Sequence, residues 1–158
     1  MFDPIGFIKN PIVFIRYFQA KRNLKKSRGD EVTEDFLTLL LDLMKWTFLI
    51  DPDYRRNIEH FTGAYRFKDR DGKVNVLVKF HGGKMEVSDD PFAETKVMVT
   101  FKDSKTLRDF LLAVKKDILQ VLVRNQILVT GNLNYLYKFA FMANHPLRGL
   151  LNLENELT

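Results

Sequence analysis

Residues 63–88 read GAYRFKDRDGKVNVLVKFHGGKMEVS, and the fold class turns on this stretch. Its apolar side chains recur at every second position. In Ala64–Asp69, Tyr65 and Phe67 share one face while Arg66 and Lys68 take the other. In Lys73–Phe80, Val74, Val76, Val78 and Phe80 fall together, opposite Asn75, Leu77 and Lys79. Lys84–Ser88 adds a short run with Met85 and Val87 inward. A period of two marks a strand with one buried face. Asp71-Gly72 and Gly82-Gly83 separate the runs as short hairpin turns. The loop Asp89–Glu94, containing Pro91, leads to Lys96–Lys102, where Val97, Val99 and Phe101 share a face. The pattern predicts four antiparallel strands forming a sheet with one wet and one apolar face.

Downstream the period lengthens. Asp103-Ser104 caps a helix to about Val114, with Leu107, Phe110, Leu111 and Val114 at helical spacing. Lys115-Lys116-Asp117 marks a bend, and Ile118, Leu119, Val121, Leu122 and Val123 make a second helical turn. Gln126–Thr130 reads as a fifth strand. Gly131-Asn132 ends it and caps a last helix, Leu133–Asn144, which carries Tyr135, Tyr137, Phe139 and Phe141. Pro146 is expected to stop that helix, leaving residues 147–158 as a loosely docked tail.

Upstream, residues 1–60 read as helical. Gly29-Asp30 is a break, and Thr33 suits a helix start. From Glu34 to Ile50 the polar residues Asp35, Thr38, Asp42 and Lys45 make a narrow stripe on an otherwise apolar helix. Such a helix needs partners on several sides: the sheet, the N-terminal helix, another chain or a lipid. Asp51-Pro52-Asp53 ends it and caps a short helix to His60. Residues 4–29 hold seven Lys/Arg, no acidic residue and many apolar side chains, with a break or kink expected at Pro11. Two readings stay open for this segment. It is either a membrane-surface helix with a basic continuation or a terminal helix packed on the domain with a solvated basic tail.

Composition narrows the classes. The chain has 158 residues, 46% hydrophobic and 28% charged, which suits one globular domain, alone or with an appendage. With no cysteine there is no disulfide framework, thiolate site or catalytic thiol. A net charge of +5 is mild and does not by itself point to nucleic acid. No stretch approaches the roughly 20 apolar residues of a spanning helix, and the N-terminus lacks the pattern of a secretory signal. Phenylalanine is the unusual component, with 14 residues against 5 Tyr and 1 Trp. It implies a large apolar interior, filled by side chains or holding something else.

Reaction chemistry is hard to find. His60, His81 and His145 fall in different elements, none at metal-ligand spacing. No phosphate loop, dinucleotide fingerprint, nucleophile elbow or zincin motif occurs. Acidic residues sit at caps, turns and helix stripes, where a solvated structural role is the default; Asp89-Asp90 falls in a loop. The sheet lacks the basic and aromatic face of a single-strand nucleic-acid reader. No catalytic group, metal or cofactor is therefore expected.

Several of these segments resemble the sterol-carrier-protein-type lipid-binding domain. Gly63–Phe67, the Asp71-Gly72 turn and the Val-rich strand are similar to its opening strands. Val97–Ser104, followed by Leu107, Phe110 and Leu111, resembles its fourth strand and the helix after it. Gln126–Leu133 resembles its last strand with the cap of its final helix. The likeness covers about residues 58–144. Lys115-Lys116-Asp117 and Asn125-Gln126 stand where the family usually carries Gly-Lys pairs and a proline, and the stretch is about two residues shorter.

The resemblance implies an α+β fold: a five-stranded, mainly antiparallel sheet with helices on one face enclosing an apolar tunnel, preceded here by N-terminal helices. It divides the chain into an extension (1–57) acting as lid or membrane contact, the lipid-binding domain (58–146) and a tail (147–158). It also implies non-covalent binding of a sterol, fatty acyl or isoprenoid-quinone-type lipid, without catalysis. The expected wall comprises Phe67, Val76, Val78, Val99, Phe101 and Val129 from strands. From helices it takes Phe110, Leu111, Val114, Ile118, Leu122, Leu136, Phe139, Ala140 and Met142. Each would equally serve as an ordinary core residue. Phe14, Arg16, Phe18, Lys21, Arg22, Lys25 and Lys26 are the expected contacts with an anionic membrane surface. A cytoplasmic, peripheral protein is anticipated, since the C-terminal Glu156-Leu157-Thr158 differs from the Ser-Lys-Leu-type signal of peroxisomal members. The alternatives are a protein-interaction module or an accessory subunit of a lipid- or quinone-modifying enzyme, with helix 34–50 as interface. Oligomerisation through the N-terminal helices is part of the same picture.

Overall fold

The computed structural model describes residues 19–23, 26, 30–112 and 117–156. Residues 19–23 are helical. The elements that follow are α1 (Asp30–Ile50), α2 (Pro52–Arg55), β1 (Gly63–Asp69), β2 (Asn75–His81), β3 (Lys84–Ser88), β4 (Val97–Phe101), α3 (Ser104–Leu112), α4 (Ile118–Val123), β5 (Ile127–Gly131) and α5 (Leu133–Glu156). The five strands form one sheet in the order β3-β2-β1-β4-β5.

The alternating pattern becomes the inner face of this sheet. Phe67 stands beside Val76 on β2 and Val99 on β4, and Val99 beside Val129 on β5. All face the helices, and α1 lies over β2 and β3. Its Leu37, Leu41, Met44 and Phe48 join the same buried core as the sheet. Gly82 and Gly83 both have positive φ, +57° and +73°. They form the two-residue link between β2 and β3 that only primed turns provide.

Four expectations are corrected. First, the five-stranded sheet is mainly antiparallel, as expected, but its first four strands are not antiparallel throughout. β1 pairs antiparallel with β2 but parallel with β4. Residues 89–96 therefore cross from β3 over β2 and β1 to reach β4. That is three inter-strand spacings, about 14 Å, well within the reach of eight residues, at most about 29 Å.

Second, the outer face is not uniformly wet. Leu77 is 0% exposed and Arg66 only 7%. The crossing loop covers them, and Arg66 fastens it. The guanidinium donates to the Asp90 and Ala93 carbonyls at 2.8 and 3.0 Å and to Asn75 Oδ1 at 2.8 Å.

Third, α1 is already helical at Asp30, so Thr33 lies buried within the helix and does not start it. Glu34 accepts from the Asn75 amide at 2.9 Å, tying this end of α1 to the start of β2.

Fourth, Pro146 does not end the last helix, which runs on through residues 147–156. Proline lacks the N–H that would bond the carbonyl four residues back, that of Met142. The Tyr54 hydroxyl donates to this carbonyl instead. Tyr54 is itself held by its stack on Phe48 (4.2 Å between centroids) and by His145 on its other contact (4.9 Å). Burial first, and the nearby Asp51 carboxylate second, push its ionisation upward, so the donor proton stays in place at ordinary pH.

Caps follow their residues. Asp51 accepts from the Asp53 and Tyr54 amides at 3.0 and 3.1 Å. Asp117 accepts from the Gln120 amide at 3.0 Å and starts α4. Among the described residues, no helix is long and apolar enough to cross a membrane.

Candidate functional site

Where α1, α3 and α5 meet over the middle of the sheet, the helices leave a cavity of about 110 Å³. The sheet supplies its floor through Phe67, Val99, Phe101 and Ile127. α1 contributes Leu37, Leu40, Leu41 and Met44; α3 contributes Leu107, Phe110 and Leu111; Ile118 closes one side from α4. Leu136, Phe139, Ala140, Ala143 and Asn144 come from α5. Among the described residues, Asn144 is the sole polar side chain of this lining.

Aromatic rings set the cavity's shape. Phe139 packs on Phe67 at 4.9 Å and Phe110 on Phe101 at 5.7 Å between centroids. Behind them, Tyr65 donates to the Tyr135 carbonyl at 2.9 Å, which fixes α5 to the centre of the sheet. Burial, with a smaller contribution from Tyr135, pushes the ionisation of Tyr65 upward, so it remains a neutral donor. Asp69 is also buried on the inner face, outside the lining. Its Oδ1 accepts from the Val74 amide at 3.1 Å, and its Oδ2 has no hydrogen-bond partner among the described residues.

Of the anticipated wall, the structure brings together Phe67, Val99, Phe101, Phe110, Leu111, Ile118, Leu136, Phe139 and Ala140. Val76 and Val78 are buried under α1 and do not reach the cavity. Leu122 and Val129 pack at the border of the core, and Met142 points to the other flank of α5, about 200° round from Ala140. Val114 lies outside the described residues, as do Phe14, Arg16, Phe18 and Lys25. Arg22 and Lys26 are exposed and Lys21 half-buried. The α1 wall was not anticipated, although the signal was there: an apolar helix with one narrow polar stripe needs cover on several sides.

The arrangement offers space without reactive groups. Among the described residues, no set of three or more His, Asp or Glu is placed to hold a metal. An engineered cavity of about 150 Å³ accepts benzene and stays dry otherwise. At about 110 Å³ this cavity is smaller, with room for no more than a short alkyl segment. A longer chain requires the walls to part.

The same layout of elements recurs in solved structures. The UbiJ-SCP2 ubiquinone synthesis protein superposes with a TM-score of 0.53 at 13% identity, over 73% of this chain and 95% of that one. The chain has the sterol-carrier-protein fold. The sterol carrier protein domain 2 of Helicoverpa armigera superposes with a TM-score of 0.51 at 16% identity, over 76% of this chain and 94% of its own. No protein-family model matches the sequence, and no curated protein matches it. At these identities the likeness is one of backbone architecture: a five-stranded mixed sheet with helices.

Proposed function

We propose that this protein binds a lipid non-covalently in the cavity beneath its helices, and carries or presents it without catalysing a reaction. The observation that supports this reading is the lining itself: among the described residues, sixteen of the seventeen that line the cavity are apolar, and the remaining one is Asn144. An apolar guest needs such a site and few polar anchors. Each methylene moved from water into it contributes about 0.8 kcal/mol, so ten buried methylenes supply about 8 kcal/mol before the costs of ordering. The guest is of the sterol, fatty acyl or isoprenoid-quinone type. The two fold neighbours are a ubiquinone synthesis protein and a sterol carrier protein domain, which lends weight to that range.

The basic and apolar stretch 4–28 belongs to the same reading as a contact for anionic bilayers. Replacing Arg22, Lys25 and Lys26 together by Gln is expected to weaken vesicle flotation and its salt sensitivity. An interface role for helix 34–50 has less support, because Phe36, Leu37, Leu41, Leu43, Met44 and Phe48 are already buried within the chain.

Native mass spectrometry after mild purification, followed by titration with palmitate and a short-chain quinone, tests the carriage. A bound mass, or saturable uptake with one site per chain, is expected. An empty protein that takes up neither probe refutes the proposal.

A further inference from the structure

Two of the helices that border the cavity, α5 and α4, share one pattern. On α5, Leu136, Ala140 and Asn144 line the cavity. Leu133, Tyr137 and Phe141 form the next row, each three residues before a wall residue. Residues three apart on a helix sit side by side, about 60° round the axis. This second row faces out: Phe141 is 69% exposed, and Tyr137 and Leu133 are exposed as well. On α4, Ile118 lines the cavity and Leu122 packs against the core. Leu119 and Val123 form the adjoining row, and Val123 is 81% exposed. Single exposed apolar residues are ordinary on a protein surface. Here two rows at helical spacing continue the apolar wall from inside the cavity onto the outside.

Charge selects the occupant of this surface. From Ile118 to Pro146 there is no Asp or Glu, although the chain holds 20. The cations of this stretch are Arg124 and Lys138, and the Lys138 ammonium lies 4.3 Å from the centre of the Phe61 ring. Aliphatic and aromatic side chains with two cations among them, and with Asp117 at the cap of α4 as the nearest carboxylate in sequence, match the boundary between headgroups and acyl chains of an anionic bilayer.

We infer that Leu119, Val123, Leu133, Tyr137 and Phe141 form a bilayer-contact face that sets the edge of the cavity against an anionic lipid surface. A lipid chain then enters along a continuous apolar path without crossing water. This use of the face rests on the proposed lipid binding; the contact itself does not.

The test uses the full chain and vesicles of phosphatidylcholine and phosphatidylglycerol. Trp46 is the one tryptophan, so Trp46→Phe with Phe141→Trp leaves a single indole on the face. Its emission is expected to shift to the blue on vesicles and to be quenched by brominated acyl chains. Val123→Ser, Tyr137→Ser and Phe141→Ser together are expected to lower vesicle partition by about tenfold or more, with the thermal melt unchanged. Four outcomes overturn the inference: no vesicle binding by the unaltered chain, binding without quenching of the introduced indole, partition unaffected by the triple substitution, or a dimer that the triple substitution dissociates. The last would give the face to a second copy. Palmitate uptake from solution separates the two ideas. Row-dependent vesicle contact without uptake keeps the contact face and removes the carriage. Uptake with row-independent contact does the reverse.

Discussion

Tyr54→Phe isolates the bond that lets the last helix pass through Pro146. The substitution keeps the ring, and with it the stacks on Phe48 and His145; it removes only the hydroxyl that donates to the Met142 carbonyl. That carbonyl has no N–H at position 146 to turn to and lies in a buried setting. Leaving a buried acceptor unpaired costs about 1–3 kcal/mol. For a chain of this size, a loss of that range lowers the melting temperature by roughly 2–12 °C. The decisive measurement is a double-mutant cycle with Pro146→Ala, followed by urea unfolding. Alanine restores an N–H that bonds the same carbonyl and removes a proline penalty of about 3 kcal/mol in a helix interior. In that background the tyrosine hydroxyl is redundant, so Tyr54→Phe should cost at least about 1 kcal/mol less than it does alone. Equal penalties in both backgrounds, or a single variant as stable as the parent, would refute the claim that Tyr54 stands in for the missing amide.

Ala140→Leu fills the cavity and is expected to keep or raise the melting temperature while abolishing palmitate uptake; uptake at the parental level would put the guest elsewhere. Gly131 has φ +107°, and a Cβ there would sit 2.1 Å from the Lys96 carbonyl oxygen. Gly131→Ala should therefore destabilise by roughly 3 kcal/mol or more through backbone strain and displacement of β5 from β4, readable by urea unfolding. Arg66→Met frees the loop over the outer face, at an expected cost of about 1–3 kcal/mol and with faster proteolysis within residues 89–96. Asp103 accepts from the Thr106 amide and hydroxyl, both at 2.7 Å, and these bonds, with nearby Lys102 and Lys105, hold its carboxyl below its ordinary range. A depressed carboxylate stabilises the fold above its unfolded value, about 3.9, and the contribution fades as pH falls through the folded value. Asp103→Ala should thus cost about 0.5–2 kcal/mol at pH 7. Stability curves of parent and variant should converge as pH falls below about 4.

How far these features were legible depends on the range of the interactions that fix them. The period-two runs and the glycine turns are local, and they located all five strands to within a few positions. The parallel pairing of β1 with β4 is not local. Tyr65 and Val97 meet because the crossing loop returns over the sheet, and alternation carries no information about which neighbour a strand chooses. The burial of Leu77 and Arg66 follows from that same loop, so the expectation of a wet outer face failed with it. Pro146 misled because the compensating donor, Tyr54, lies 88 residues away in sequence. Nine anticipated wall positions do meet at the cavity, since inward strand positions and the facing helix rows are set by local periodicity. Val76 and Val78 share that periodicity but sit under α1, and only the packing of α1 over β2 and β3 distinguishes floor from filled core. The same packing put Leu37, Leu40, Leu41 and Met44 into the wall.

The length of α5 carries a mechanical consequence. Its 24 residues span about 36 Å at 1.5 Å per residue, whereas a seven-residue strand covers only about 23 Å. The helix is thus about 13 Å longer than a strand of the sheet. Ala140 lines the cavity, and Glu156 lies about 24 Å further along the axis. A rigid tilt of about 10° about the rung at Met142 would carry Glu156, about 21 Å away, about 4 Å sideways. Pro146 is the joint where such a rod would buckle, and the Tyr54 hydroxyl clamps the rung just before it. Any parting of the wall at Ala140 would thereby register at the far tip of the same helix.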